Sequence, residues 1–419
     1  MPSIIYRGQK TIEYVTNFPY HILCNVLNTS IAPQVLVFRF MNLKNLSLPF
    51  VPLARRIEPW PAGPPGHLDN SLLASLADEV FMAVTSPVAQ RTPPRVMVGE
   101  TTKKHTSELS AQLTNLYFCV LRDGRVVSPP VAVINRHNDI FGDISIDWRH
   151  PRTNHKYRGW KFVRSPLHLS GKSLCLASTG AETFFHMVFD SLGRLWVAEK
   201  AGFRIQEFDY LIVQQDTPLL RRFLEILGAG SSRLVDLSKV RHVRCENLFI
   251  GSYQSAMGHY HPGFLDWLRS RTQNRSRYGA GSSEKILFLS RAQAGSRRLL
   301  NEEDIERAFP LKSIHRISLE KYTLEEQLDL FHQAAAVVAP HGGGLSHLAW
   351  ARPGLPVLEL FPKGFFNACY WELASSVGAP YGCVEGESTE TGIAATRDFT
   401  IFPKLVRDSF LQLVEGKFG

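Results

Sequence analysis

The chain has no apolar run approaching the roughly 18 uninterrupted residues that a bilayer-spanning helix needs; Gln34 to Phe40 and Gln333 to Pro340 are strand-sized. Met1 to Lys10 carries early charge and lacks the basic, apolar and small-residue order of a secretory signal, so a cytoplasmic protein is expected. No C-x-x-C pair occurs among the six cysteines, at 24, 119, 175, 245, 369 and 383. Structural zinc sites pair their ligands at short spacing, so this scatter argues against zinc and for buried free thiols. Also missing are the P-loop G-x-x-x-x-G-K-[ST] and the G-x-G-x-x-G fingerprint, which speaks against ATPase and dehydrogenase chemistry. The absence of any D-x-D leaves no obvious ligand pair for a divalent ion clamped on a diphosphate, so no metal is expected.

What is present describes a folded protein, with 44% hydrophobic and 20% charged residues. A length of 419 residues predicts two globular domains with room for an added region. A net charge of +9, from 47 basic and 38 acidic residues, favours contact with something anionic: phosphates, nucleic acid or a lipid headgroup surface.

From Lys172 onward, short apolar runs alternate with helical periods, the pattern of βαβ units around a parallel sheet. Strands are predicted at Leu174 to Ala177, Tyr210 to Val213, Arg233 to Leu237 and Leu248 to Ile250, with helices at Glu182 to Ala201, Pro218 to Leu227 and Pro262 to Arg271. The polar, glycine- and serine-rich residues 273–284 read as a linker. Beyond it, strands are predicted at Lys285 to Leu289, Ala334 to Ala339 and Val357 to Leu360. Helices fall at Asn301 to Phe309, Thr323 to Gln333, Gly344 to Ala351 and Phe366 to Val377. Two such halves imply a cleft between them. Earlier residues, with proline turns at Pro59 to Pro65 and Thr92 to Pro94, read as an α+β accessory region.

The strongest chemical signal is the apolar strand Ala334 to Ala339 running into Pro340-His341-Gly342-Gly343-Gly344 and then a helix. Glycines admit a ligand close to the backbone, and unpaired amides at a helix start suit a diphosphate. His-Gly-Gly-Gly also forms the oxyanion loop of esterases. That reading needs a G-x-S-x-G elbow, and Gly344-Leu345-Ser346-His347-Leu348 lacks the second glycine.

Further segments fall in a recognisable order: Phe184-Phe185-His186 to Asp190 and Arg194-Leu195-Trp196; Leu289-Ser290-Arg291 with Arg298-Leu299-Leu300-Asn301-Glu302; Glu325 to Phe331; His341 to His347; and Pro353 to Pro362. Together they resemble glycosyltransferase family 61 across roughly residues 115 to 382. The resemblance implies a GT-B architecture and an inverting transfer from a nucleotide sugar. The chain departs from the family's common form at Gly343, where alanine is frequent, and at His347, where asparagine is frequent.

Inversion needs one displacement at the anomeric carbon, with a base to take the acceptor proton. His186 and Asp190, at i and i+4, project from one helix face, and either serves: Asp190 as base, or His186 as base oriented by Asp190. The plainer alternative is a structural helix with Asp190 bridged to Arg194. For the leaving group, Arg291 and Arg298 offer guanidinium groups to phosphate in place of a metal; Arg297 beside them reads equally as a solvated loop charge. Glu359, ending a strand, is placed to accept from ribose hydroxyls or to be a buried structural carboxylate. Asn301 and Glu302 read as an N-cap and an acidic first turn. The basic, aromatic stretch Trp148 to Lys161 reads as a solvated face or as a loop near the acceptor. His259-Tyr260-His261 reads as structural.

The expected architecture is therefore α/β of the GT-B type: an accessory region at 1–110, an acceptor-side Rossmann-like lobe at 111–272, the linker at 273–284 and a donor-side lobe at 285–419, facing a central cleft. The expected donor-site residues are Arg291, Arg298, His341, Gly342, Gly343, Gly344, Ser346 and Glu359. The expected function is transfer from a nucleotide sugar (UDP-, GDP- or CMP-linked) to a saccharide or lipid-linked saccharide, as in cell-surface polysaccharide assembly. It needs no cofactor, binds no nucleic acid and has room for peripheral contact at the inner membrane face. The alternative is a non-catalytic binder of anionic polymer on the same scaffold.

Overall fold

A computed structural model describes residues 50–52, 56–57, 75–85, 88–104, 110–112, 115–147, 155–157, 162–229, 232–256, 259–272, 285–310, 314–388 and 392–415. The expected linker, the run Val35 to Phe40, the turn Pro59 to Pro65 and most of the basic stretch Trp148 to Lys161 lie outside these residues.

The architecture is mixed α/β, and the described residues form two large sheets, of nine and six strands. Parallel strands of the first lie in the order Arg233–Asp236, Tyr210–Val213, Leu167–Cys175, His242–Gly251. Counted along the chain this is a doubly wound arrangement, which reverses direction between Leu167–Cys175 and His242–Gly251. The antiparallel strand Leu116–Val127 pairs with His242–Gly251 and carries Glu79–Val84 and Ala132–Ile134 beside it.

In the second sheet the order is Ile314–Ile317, Ile286–Leu289, Ala336–Pro340, Val357–Phe361, Tyr381–Glu385, Val96–Val98, parallel throughout. Its reversal falls between Ile286–Leu289 and Ala336–Pro340. Every residue of Ala336–Pro340 and Val357–Phe361 is buried. Strands covered on both faces need near-continuous apolar runs, broken in Val357–Phe361 by Glu359 alone, which is why these two stand out in the sequence.

Helix starts follow their capping chemistry. Thr217 accepts a 3.2 Å bond from the Leu220 amide and Pro218 opens Pro218–Ile226. Thr323 and Glu326 form a capping box on Leu324–Gln333. Two expected α-helices differ in kind. The segment after Thr183 is α-helical at Phe184–His186, π-helical at Met187–Leu192 and α-helical again at Gly193–Lys200. The segment after Gly342 is a 3₁₀ helix, Gly343–Trp350.

A single apolar cluster runs from Leu174, Phe189 and Trp196 through Phe264 and Leu345 to Trp350, Trp371 and Tyr381. Packing, and not only chain connectivity, thus joins the helices between the sheets. The Trp350 indole N–H adds a 2.8 Å bond to Thr272 across this junction. Cys119, Cys175, Cys245 and Cys383 are buried free thiols, as expected. Among the described residues no helix is long and apolar enough to cross a membrane.

Candidate active site

Ligands of doubly wound sheets sit at the carboxyl ends of strands where the strand order reverses. In the second sheet this position is flanked by Arg291, just past Ile286–Leu289, and by His341 to Gly344, just past Ala336–Pro340. Leu289, Arg291, Ser318, Leu319, Gly342 and Gly344 line an open hollow there.

Each glycine of the turn has a different reason. Gly342 is extended (φ 171°), a conformation open to any residue, but a Cβ there would lie 2.0 Å from Nη1 of Arg291. A side chain there would have to displace the guanidinium. At Gly344 a Cβ would press on Leu319 at 3.0 Å, whereas at Gly343 it would meet only Phe184, at 4.0 Å. Alanine fits at 343 without rearrangement. Gly343–Trp350 starts beside the hollow; the Leu345 amide is taken by the Gly342 carbonyl at 3.0 Å, and a helix start leaves the amides before it without intrahelical partners.

The three arginines part company. Arg291 donates through Nη2 to the Ser296 carbonyl at 2.9 Å, and its Nε is buried without a partner. Arg297, in the left-handed region at φ 52°, donates to the carbonyls of His341 (3.2 Å) and Ala395 (2.6 Å) and lies over the Phe365 ring. Among the described residues neither is ion-paired with a carboxylate. Burial lowers both pKa values, and the charge of Arg297 lowers that of Arg291 further. Arg298, by contrast, is committed to Asp398, through a 2.7 Å side-chain bond and a 2.8 Å bond from its amide. It braces the loop, and Arg297, read from the sequence as either a phosphate ligand or a solvated loop charge, is the one that lies against the glycine turn.

Glu302, read from the sequence as helix-terminal charge, accepts from Ser290 Oγ at 2.6 Å and from the Arg291 amide at 2.8 Å. It fixes the turn that presents Arg291. Asn301 makes no cap bond; its amide group bonds the backbone of Ile401 instead.

Glu359 is fully buried, with one oxygen 2.5 Å from His341 Nδ1 and the other accepting from the Tyr381 hydroxyl. Both oxygens are engaged within the protein, so it holds His341 and faces no ribose. Ser346 is fully buried as well. His347 is 2% exposed, with Nδ1 2.9 Å from the Gly344 carbonyl and Nε2 2.8 Å from Gln327 Oε1. Burial pushes its pKa down to about 4.

On the first sheet, the reversal point carries Ser178 beyond Leu167–Cys175 and Tyr253 beyond His242–Gly251, their hydroxyls 3.2 Å apart. Ser178 donates to Asp190 at 3.2 Å, and Asp190 lies 2.7 Å from His186 Nδ1. Arg194 turns away to the carbonyls of Ala177 and Ile144 and under the Tyr253 ring, so the alternative Asp190–Arg194 bridge is not made. Burial acts against a charged His186, but the carboxylate of Asp190, its hydrogen bond and the charge of Glu182 outweigh it and raise the pKa. His186 keeps 26% of its side chain exposed against 5% for Asp190.

The two reversal points meet. Phe184 stacks on His347, and Phe185 packs on His186 (centroids 5.1 Å apart) and on Tyr370 (5.8 Å), which in turn packs on His341 (5.1 Å). Two rings thus separate the His186–Asp190 pair from the His341–Glu359 pair. Sequence reasoning missed Tyr370, Tyr381, Ser178 and Tyr253, each a tyrosine or serine in an unremarkable context. At His261, Nδ1 accepts from the Gly263 amide at 3.1 Å, in keeping with the structural reading.

No curated protein matches the chain. The family model described as Glycosyltransferase 61 matches residues 184–358, a span that includes His186, Asp190, Arg291 and the His341 to Gly344 turn; it bears out the family resemblance and supports glycosyltransferase activity in general.

Proposed function

We propose that the protein is an inverting, metal-independent glycosyltransferase of GT-B architecture, moving a sugar from a nucleotide-sugar donor to a saccharide or lipid-linked saccharide. The observation that carries this reading is the meeting of the two reversal points, one with a histidine–carboxylate pair and the other with a glycine turn and two arginines that lack carboxylate partners among the described residues. Residues 111–272 form the acceptor side and residues 285–419 the donor side.

In this reading the donor phosphates lie against the first-turn amides of Gly343–Trp350, with Arg291 and Arg297 supplying the positive charge that a divalent ion supplies elsewhere. His186, the exposed member of its pair, takes the acceptor proton; Asp190 behind it fixes the Nδ1–H tautomer and offsets the imidazolium charge. One displacement at the anomeric carbon inverts it. The net charge of +9 suits work at an anionic inner membrane face, where a lipid-linked acceptor is assembled.

Thermal unfolding with UDP, GDP, CMP and a polyanion tests the reading. Mass action predicts a rise in Tm with one nucleotide that survives a chelator. No shift with any nucleotide, together with salt-sensitive stabilisation by the polyanion, would establish a polymer binder instead.

A further inference from the structure

The His341–Glu359–Tyr381 chain is built more tightly than the backbone of a glycine turn requires. Glu359 is wholly enclosed, yet among the described residues neither of its oxygens meets a lysine or arginine; one faces His341 Nδ1 at 2.5 Å and the other takes the Tyr381 hydroxyl. The imidazole is wedged by Phe361 (5.2 Å, 26° between planes), by Phe365 (5.2 Å, edge-on) and by Tyr370. It cannot turn. Its Nε2 is neither hydrogen-bonded within the described residues nor sealed from solvent. A buried carboxylate behind a wedged imidazole, with the second nitrogen free at the glycine turn, is an arrangement for holding a protonated ring against an anion.

We propose that His341 is a second catalytic histidine, which meets the leaving phosphate through Nε2–H as an imidazolium, and that Glu359 is the positioning residue that holds its Nδ1–H and balances its charge. The inference rests on the transferase reading above. In the step, the acceptor oxygen bonds to the anomeric carbon as the bond from that carbon to the phosphate oxygen breaks. The electron pair stays on the leaving oxygen, where the His341 proton is shared or transferred, and the acceptor proton goes to His186. His186 then releases the acceptor proton to water and His341 takes one up from water, so protons and charge balance over the cycle. Among the described residues, the charged or titratable groups near the pair include Arg297, bonded to the His341 carbonyl, Arg291 across Gly342, the Tyr370 and Tyr381 phenols, and the Cys369 and Cys383 thiols near Glu359.

Glu359→Gln tests this, because glutamine still accepts from Nδ1–H but removes the charge. With the nucleotide sugar that supports transfer, kcat should fall about tenfold or more, a rise of one or more multiples of RT ln 10 in the barrier. Its alkaline limb should move to lower pH, while KM for the donor and Tm stay near those of the parent. His341→Gln should lose roughly 10²–10³-fold in kcat, as for a donor at a developing oxyanion. An unchanged kcat and pH profile in Glu359→Gln would overturn the proposal. A readout independent of turnover is the ¹⁵N spectrum of histidine-labelled protein titrated with UDP, GDP and CMP, with His341→Gln giving the assignment. Binding should protonate His341 Nε2; a nucleotide that binds, as calorimetry reports, and leaves Nε2 unprotonated also overturns it. Absence of nucleotide binding in the parent would instead remove the transferase reading itself.

Discussion

Phe184 and His347 lie ring on ring, their centroids 4.2 Å apart and their planes 5° from parallel. Phe184 begins the helical turn that carries His186, and His347 belongs to the 3₁₀ helix that follows the glycine turn. With Phe331 stacked near His347 at 5.1 Å, the imidazole is a packing element between the two halves of the site. The departure from the family's common asparagine therefore concerns how the halves are clamped.

His347→Asn should accordingly cost stability and leave donor choice alone. Losing one stacked pair amounts to about 0.5–1.5 kcal/mol beyond the area lost. Chemical denaturation measures the loss, and a panel of nucleotide sugars should show the same preferred donor in both proteins. A switched donor would place residue 347 in the sugar pocket.

The same histidine makes a pH prediction. Its folded pKa of about 4 lies below the ordinary 6.5, so the unfolded chain binds the proton more tightly. Acid between pH 6.5 and 4 then draws stability out of the parent but not out of His347→Asn, and the gap between the two should narrow over that window. His186 has the opposite sign: its pKa is raised, so its contribution is complete below 6.5 and is lost as pH rises through the folded value. His186→Gln should cost more at pH 6 than at pH 9.

At the turn, Gly342→Ala and Gly343→Ala should differ sharply. A methyl group at 342 strikes the Arg291 guanidinium and one at 343 has room. Calorimetric nucleotide affinity should fall at least about tenfold for the first, some 1.4 kcal/mol. It should hardly change for the second.

Among the arginines, Arg291→Ala and Arg297→Ala should weaken nucleotide binding by roughly 10-fold or more each, as expected for loss of a charge-assisted phosphate contact. Arg298→Ala should chiefly loosen the loop that Asp398 holds, with a smaller effect on affinity. Equal losses at all three would contradict the division of roles drawn from the geometry.

The parallel strands were legible because burial on both faces writes continuous apolar runs, as at Ala336–Pro340. Helix starts were legible where Thr217 and Thr323 announce a cap. The site was half legible. His186, Asp190, Arg291 and the glycines stand in local patterns that a strand end or a helix face makes intelligible. What escaped depends on distant pairings: Arg298 finds Asp398 a hundred residues on, Glu302 reaches back to the Ser290 turn, and Glu359 is taken up by His341 and Tyr381. No spacing in the sequence reports such a partner. Nor does it report that six residues after His186 wind as a π-helix or that the turn after Gly342 is 3₁₀.

The claim on which the rest depends is that the partly exposed imidazole of His186, backed by Asp190, takes the acceptor proton. Steady-state transfer with donor and acceptor saturating, compared among the parent, Asp190→Asn and His186→Ala, tests it most directly. The account predicts kcat losses on the order of 10²–10⁴-fold for His186→Ala, the range of a general base, and a substantial loss for Asp190→Asn, with nucleotide affinity preserved in both. Near-parental kcat in both variants would contradict it.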